Sequence, residues 1–364
     1  MKFNVSKDVL LKRTQIVQNA INPKSTLPIL SNILIEAKDN NIVFVATNLD
    51  LGIISTESIK PQLTGSVTIP AKKFFDIIKE LPDTDIMVSV KKNNLIHMEC
   101  QQCVFKIMGL PKDEFPQIPE FKDKDGLAIE QKTLKKMLDM TSFAMSHDET
   151  RYTLNGILFI IKPSYLRLVA TDGRRLAMAE RKMQFPKNQE RKFIVPAKAI
   201  NELSKLLTGD GEVKIFFTDN QVLFDVGATK MAARLIDGEF PPYEQVIPKE
   251  VKEKMSVSRE KMLAAARRVA LFTNAESLAI KMDLSRDKLI MSKSTPYLGE
   301  AREELGVEYK GKELSIGFNP DYLIDVLKNV DQETVQFELT DAEKAGAMRI
   351  GDEYVYVVLP MQVG

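Results

Sequence analysis

Residues 69–81 read Ile69-Pro-Ala-Lys-Lys-Phe-Phe-Asp-Ile-Ile-Lys-Glu-Leu81, and the chain says nearly the same thing twice more. Residues 195–207 read Val195-Pro-Ala-Lys-Ala-Ile-Asn-Glu-Leu-Ser-Lys-Leu-Leu207, and residues 318–330 read Phe318-Asn-Pro-Asp-Tyr-Leu-Ile-Asp-Val-Leu-Lys-Asn-Val330. In each, a proline opens the first turn of a helix, where its missing N–H costs nothing, and an apolar stripe follows at helical spacing. Pro70 and Pro196 lie 126 residues apart, and Pro196 and Asn319 lie 123 apart. A period this long is not a solenoid repeat; it marks one domain copied three times. The 364 residues then divide as 1–122, 123–248 and 249–364, each long enough to bury its own core.

Working outward from that helix, other phrases recur in the same order. Val5-Ser6-Lys7 opens a helix expected over 7–20 with Ser6 as its N-cap; Ile129-Glu-Gln131 opens one over 131–146, and Val257-Ser-Arg259 one over 258–272. The repeated phrase itself supplies helices over 71–80, 197–208 and 320–329. Alternating strand-like runs follow at 33–37 and 42–48, at 157–161 and 166–172, and in a more degenerate form at 278–282 and 288–292. Further strands, such as 86–90 and 213–217, come after the second helix of a copy. Glu114-Phe-Pro116 and Glu239-Phe-Pro241 close the first two copies, and Leu359-Pro-Met361 ends the third. Each copy therefore reads helix, strands, helix, strands. The expected class is α+β, with two helices packed on one face of antiparallel sheet, three times over.

Composition excludes several alternatives. With 44% apolar and 28% charged residues the chain is ordinary globular protein, and no apolar run approaches the ~20 residues needed to span a bilayer. Two cysteines cannot staple a fold of this size, and Met1-Lys-Phe-Asn4 does not resemble a secretory signal, so a reducing cytoplasm is expected. The net charge of +1 argues, taken whole, against a nucleic-acid binder. The total hides a segregation. The six expected helices hold sixteen basic and eight acidic residues, a balance of +8 against −7 for the rest. One reading is a set of solvated lysine faces. The other is that the helices share one polyanion, held through phosphates without base reading and free to slide.

Catalytic constellations are missing. No Gly-x-Ser-x-Gly elbow or His-Glu-x-x-His occurs. Gly306-Val-Glu-Tyr-Lys-Gly-Lys312 has phosphate-loop spacing, but Glu313 stands where a Mg²⁺-binding hydroxyl is needed, so it reads as a turn between strands. Cys100-Gln-Gln-Cys103 has no second pair and, on one strand, would point its thiols to opposite faces. His147-Asp-Glu149 reads as a polar loop after a helix. No cofactor and no metal are expected.

Taken together, Thr26-Leu-Pro-Ile-Leu30, Pro70-Ala-Lys-Lys-Phe-Phe-Asp-Ile77, Arg151-Tyr-Thr-Leu-Asn-Gly156, Val169-Ala-Thr-Asp-Gly-Arg-Arg-Leu176, Gly238-Glu-Phe-Pro241, Gly317-Phe-Asn319 and Tyr356-Val-Val-Leu-Pro-Met361 carry a resemblance. In this order and spacing, over the whole length, the chain resembles the bacterial sliding clamps, the beta subunits of DNA polymerase III. The resemblance implies a non-enzymatic processivity factor. Two three-domain crescents would join head to tail into a homodimer ring around double-stranded DNA, placed there by a clamp loader, and would tether polymerase through short peptides. It implies a peptide pocket formed by Leu154, Thr171, Gly173, Arg175, Leu176, Pro241, Val246, Asn319, Tyr322, Val358, Leu359, Pro360 and Met361. It implies a DNA face including Lys12, Arg13, Lys24, Lys136, Tyr152, Lys198 and Arg268. At the dimer contact Lys73, Phe105 and Ile107 would meet Leu271, Phe272, Glu300, Glu303 and Glu304, although Phe105 and Ile107 fit a core equally well. Two rivals remain: a three-repeat enzyme using His147 with Asp148, and a monomeric peptide-binding scaffold that encircles nothing.

Overall fold

The computed structural model describes residues 1–22, 27–91, 93–118, 126–249 and 253–362. Six α-helices form: α1 Lys7–Gln18, α2 Ala71–Glu80, α3 Gln131–Asp139, α4 Ala197–Leu206, α5 Arg259–Ala270 and α6 Pro320–Asn329. α2 and α6 fall on their expected spans. α1 buries Leu10, Thr14 and Val17, and α2 buries Ala71, Phe74 and Ile78, one stripe each at helical spacing. The helices keep sixteen basic and eight acidic residues, because the segments trimmed from the expected spans carry no charge.

Three local expectations are corrected. α3 stops at Asp139 instead of 146. There Thr141 turns its hydroxyl onto the carbonyl oxygens of Met137 and Leu138, and the chain tightens into a separate 3₁₀ turn, Ser142–Ala144. Ser6 occupies the N-cap of α1 without a side-chain bond; the serine that does cap is Ser258, whose hydroxyl accepts from Lys261 N. The two cysteines lie on two strands, Leu95–Cys100 and Cys103–Met108, joined by a turn in which Gln101 takes φ 51°. Cys100 and Cys103 are register partners, so they face each other across the hairpin; both are free thiols. The Gly306–Lys312 stretch does connect strands, Gly299–Gly306 to Leu314–Phe318 by way of the short strand Glu308–Tyr309.

Each copy supplies two four-stranded half-sheets, with the short strand Glu308–Tyr309 added as a fifth to the flanking one of copy three. The strands between its two helices make an intervening half-sheet; the strand before the first helix and those after the second make a flanking one. In copy one the intervening half-sheet is Asn32–Lys38, Asn41–Thr47, Leu51–Glu57 and Gly65–Pro70, and the flanking half-sheet is Lys2–Ser6, Asp85–Val90, Leu95–Cys100 and Cys103–Met108. The half-sheets then join across copies. Leu51–Glu57 of copy one pairs antiparallel with Thr229–Arg234 of copy two, giving an eight-stranded sheet. Arg175–Lys182 of copy two pairs with Tyr354–Val358 of copy three, giving a nine-stranded sheet.

These joins divide the molecule differently from the sequence repeat. Contacts group the chain into two compact units, Met1–Lys132 with Glu202–Leu235, and Thr133–Asn201 with Ile236–Gly364. Each unit contains one joined sheet whole. In the first, α1 and α2 pack together and α1 rests on the strands Asn41–Thr47 and Leu51–Glu57; in the second, α5 and α6 pack together and α5 rests on Lys288–Thr295 and Gly299–Gly306. Two half-sheets stay unjoined. The flanking one of copy one ends at Cys103–Met108, and the intervening one of copy three ends at Gly299–Gly306. No helix among the described residues is long and apolar enough to cross a membrane.

Candidate functional site

The strand Tyr165–Thr171 runs out into a tight turn before Arg175–Lys182 begins. Thr171 Oγ1 donates to Arg175 O at 2.6 Å and accepts from Gly173 N at 3.1 Å, while Asp172 Oδ1 accepts from the amides of Arg174 and Arg175. Gly173 sits at φ +85°, a left-handed conformation that favours glycine, and a Cβ there would come within 2.9 Å of Arg151 Nη1. Arg175 leaves this turn with its side chain only 10% exposed. Its guanidinium donates to Asp172 Oδ2 at 3.1 Å, to Asp325 Oδ2 at 2.7 Å and to Phe143 O at 2.6 Å, and lies 4.5 Å over the Tyr322 ring. Burial alone would lower its pKa; the bond to Asp325 leads the contributions that instead hold it above the usual value.

On the other face of the same strand lies an apolar cavity of about 150 Å³. Leu154, Leu176, Val357 and Tyr243, all buried, form its depth; Pro241 and Pro242 form one wall. Thr171, Gly173, Arg174 and Arg175 line the turn side, and Val246 and Leu359 stand at the lip, 51% and 44% exposed. Tyr243 is anchored by Arg167, whose Nη1 donates to the phenol oxygen at 2.9 Å while its Nε holds Glu180 at 2.7 Å. Burial pushes the Tyr243 phenol up to about 12, so it stays neutral. The cavity offers an aliphatic slot with fixed walls and a cationic turn at one end. Such a shape suits an apolar side chain carried on an extended segment, and it lacks a nucleophile placed beside a base.

The structure brings eight of the thirteen expected pocket residues to this cavity: Leu154, Thr171, Gly173, Arg175, Leu176, Pro241, Val246 and Leu359. The other five are placed differently. Asn319 is the N-cap of α6, accepting from Asp321 N at 2.9 Å. Tyr322 lies under the Arg175 guanidinium. Val358 is fully buried and pairs with Arg175; strand alternation turns it to the opposite face and gives the cavity Val357 and Leu359. Pro360 and Met361 follow as the chain leaves, with Met361 N bonded to Gly317 O at 2.8 Å. Residues not foreseen are Arg174, Pro242, Tyr243 and Val357. The period-two rule applied to 354–359 would have found Val357, and Tyr243 lies two residues past Pro241.

The expected DNA-facing residues separate into two groups. Lys12, Lys198 and Tyr152 are exposed, and neither lysine makes an ion pair among the described residues. Arg13 is held by Glu57 at 2.7 Å and by Ser55, with its side chain 14% exposed; Lys136 pairs with Asp331 at 2.5 Å; Arg268 grips both oxygens of Glu303 at 2.6 and 2.8 Å. Lys24 lies outside the described residues. Asp148 caps the 3₁₀ segment Glu149–Leu154, accepting from the Thr150 amide and hydroxyl, which keeps its carboxyl below the usual range.

Apart from Lys73, the expected contact residues lie at or beside the two unjoined edges. Phe105, half-buried, and Ile107, buried, sit on Cys103–Met108 with Val104 and Met108 exposed beside them; Lys73 is exposed on α2. Leu271, 75% exposed, ends α5, with Phe272 half-buried next to it. Glu300, Glu303 and Glu304 lie on Gly299–Gly306, where Lys288 holds Glu304 at 3.0 Å.

Comparison with known proteins agrees with this geometry. Family models of the DNA polymerase III beta subunit match in order: its N-terminal domain over residues 1–119, its central domain over 128–242 and its C-terminal domain over 244–362. The beta sliding clamp of Pseudomonas aeruginosa is 34% identical over 368 residues, covering 100% of each chain. The crystal structure of a DnaN sliding clamp from Bartonella birtlesii bound to griselimycin superposes with a TM-score of 0.95 at 33% identity, covering 100% of each chain. That of the Bacillus subtilis DNA polymerase sliding clamp gives 0.95 at 29% identity, again over 100% of both. The chain belongs to the DNA polymerase III beta subunit family, the bacterial sliding clamps, which are non-catalytic processivity factors of DNA replication.

Proposed function

We propose that two copies of this chain close head to tail into a ring that encircles duplex DNA in the cytoplasm and tethers polymerase to it. The observation that carries this reading is the pair of unjoined sheet edges. Within the chain, the intervening half-sheet of copy one joins the flanking half-sheet of copy two, and that of copy two joins copy three. One intervening edge, Gly299–Gly306, and one flanking edge, Cys103–Met108, are left over. A third join of the same kind needs a second molecule. The contact is heterologous, and it closes when two protomers complete it twice. Open edges that long invite pairing. Leu271 and Phe272 would supply apolar burial, and Lys73 with Glu300, Glu303 and Glu304 a charged rim.

The three domains of this reading are 1–122, 123–248 and 249–364. The sixteen basic helix residues provide phosphate contacts without base recognition, with exposed Lys12 and Lys198 as the most available cations and exposed Tyr152 a further contact. Arg13, Lys136 and Arg268 contribute at most after releasing their carboxylates. The cavity behind Leu176 takes an aliphatic or aromatic side chain from a short partner peptide, supplied by polymerase or by the clamp loader; related clamps of Bartonella birtlesii and Pseudomonas aeruginosa are described as bound to griselimycin.

The test is retention on nicked circular plasmid after loading with a bacterial clamp loader and ATP, before and after linearisation. The expected result is a complex that survives moderate salt on circles and is lost once ends are cut. Release governed by salt alone, indifferent to ends, would reduce the helices to an ordinary phosphate-binding face.

A further inference from the structure

The turn that builds the cavity exists twice. At residues 47–51, Thr47 Oγ1 accepts from Leu49 N at 3.0 Å and donates to Leu51 O at 3.1 Å, while Asn48 Oδ1 accepts from the amides of Asp50 and Leu51 at 3.1 and 2.8 Å. This reproduces, bond for bond, the pattern of residues 171–175. The strand after the turn is again the one that pairs with the next copy. The same main-chain bond also closes both seams: Arg234 N to Asp50 O at 2.8 Å, and Leu359 N to Arg174 O at 2.9 Å. Pro116, Gln117 and Ile118 return over the first seam as Pro241, Pro242 and Tyr243 do over the second. The outcome is a second cavity, of about 120 Å³, within the first unit.

Its chemistry differs position by position. Asp50 replaces Arg174, Arg234 replaces Leu359, and Ala232 replaces Val357. Gly52 replaces Leu176, and Ile118 fills the space released, its Cδ1 standing 2.7 Å from where a Cβ on Gly52 would be. The floor is thus apolar but shallow. On the rim, neither Asp50 nor Arg234 makes an ion pair among the described residues. Gln221 lines the same cavity, and its Oε1 is buried with no hydrogen-bond partner. A buried acceptor without a donor is costly, so turning the amide outward to meet an incoming N–H is favoured.

We propose that this first seam is a second peptide site, selective for a short extended segment that carries a carboxylate beside a small apolar residue. The carboxylate pairs with Arg234, a main-chain N–H of the peptide meets Gln221 Oε1 once that side chain turns outward, and the small side chain covers Gly52 and Ile118. Asp50, the neighbour of Arg234 across the seam, repels a second carboxylate there. The site rests on reading the second-seam cavity as a peptide pocket, since the two share one construction. It would let one clamp hold partners of two chemistries at once, because the cavities lie in separate units and neither uses a residue of the other.

The test uses the full chain labelled at isoleucine and leucine methyls, with Ile118 reporting the first seam and Leu176 the second. Acetyl-Ala-Glu-Ala-amide is titrated against wild type and Arg234→Gln, with acetyl-Ala-Gln-Ala-amide as the neutral control. The expected result is a saturable Ile118 shift by the acidic peptide. Removing the charge from either side should weaken it about tenfold or more, the loss of one charge-assisted hydrogen bond, with Leu176 unmoved. No Ile118 shift by about 10 mM peptide, or one that persists unchanged in Arg234→Gln, overturns the proposal. Acetyl-Leu-Leu-Phe-amide, read through Leu176, tests the second seam separately, so failure of either reading is seen alone.

Discussion

Leu271→Ala is the sharpest probe of the proposed ring. Leu271 ends α5 with 75% of its surface exposed, so within one chain it contributes little packing and its loss should leave stability within about 0.5 kcal/mol. Full burial of a leucine side chain is worth roughly 1.5–3 kcal/mol, and covering the three-quarters now exposed gives about 1–2 kcal/mol after allowing for the retained Cβ. A two-membered head-to-tail ring contains the contact twice, so the dimer loses about 2–4 kcal/mol, a rise of roughly one and a half to three orders of magnitude in its dissociation constant. Phe272 is the less clean choice, because its ring already packs near Gly299, with Cε1 3.3 Å from where a Cβ there would stand. Sedimentation velocity over a nanomolar to micromolar series, with thermal unfolding as the control, reads both numbers. A wild-type monomer at micromolar concentration would refute the reasoning, and so would a shift below about tenfold in a protein whose melting temperature is unchanged.

Other outcomes follow from the same structure. Leu359→Asp, at the cavity lip, should weaken an apolar tripeptide at the second seam by about a hundredfold, measured calorimetrically, while leaving the melting temperature in place. Arg175→Met leaves Asp172 and Asp325 without their cation and the Phe143 carbonyl without its donor, and should cost about 3 kcal/mol, read by chemical denaturation. Asp325→Asn should restore part of that loss in the double variant. Gly173→Ala forces a side chain to φ +85° against Arg151 and should cost about 1 kcal/mol or more, together with peptide affinity at the turn. The bond from Arg268 holds the Glu303 carboxyl below its ordinary value of 4.5. The pair is therefore intact at neutral pH and is lost only as pH falls below that value, and a carbon-detected titration of Glu303 should show its midpoint moving up in Arg268→Gln.

The copy number and the helices were legible because their signals are local. A proline at the first turn and a stripe at 3.6-residue spacing fix α6 to the residue. α3 was overread for an equally local reason: apolar spacing continues through 140–145, but Thr141 spends its hydroxyl on carbonyls of the preceding turn and the helix ends. The cysteines were misread because two residues, Gln101 and Gln102, make a hairpin turn with no glycine or asparagine to announce it. What the sequence could not reveal was pairing. Strand character is written in each run, yet nothing in Arg175–Lys182 says that its neighbour lies nearly 180 residues on, at Tyr354–Val358. For that reason the units of the structure straddle copies that the sequence presents as whole. The pocket shows a related limit: the resemblance implies the contiguous run 358–361, whereas a strand presents only alternate residues to any face, and of that run Leu359 lines the cavity.

The half-sheet construction also locates the gate. Both internal joins and the proposed third are one kind of bond, antiparallel strand against antiparallel strand, and nothing in their hydrogen bonding ranks them. What separates them is the covalent tether. When an internal join parts, its halves remain leashed by the polypeptide at an effective concentration of roughly millimolar and re-form at once. When the third join parts, only the far side of the ring holds the ends together, and they can swing wide enough to admit a duplex. A loader therefore needs no special weak point built into the strands: the ring opens at the join that no covalent link spans.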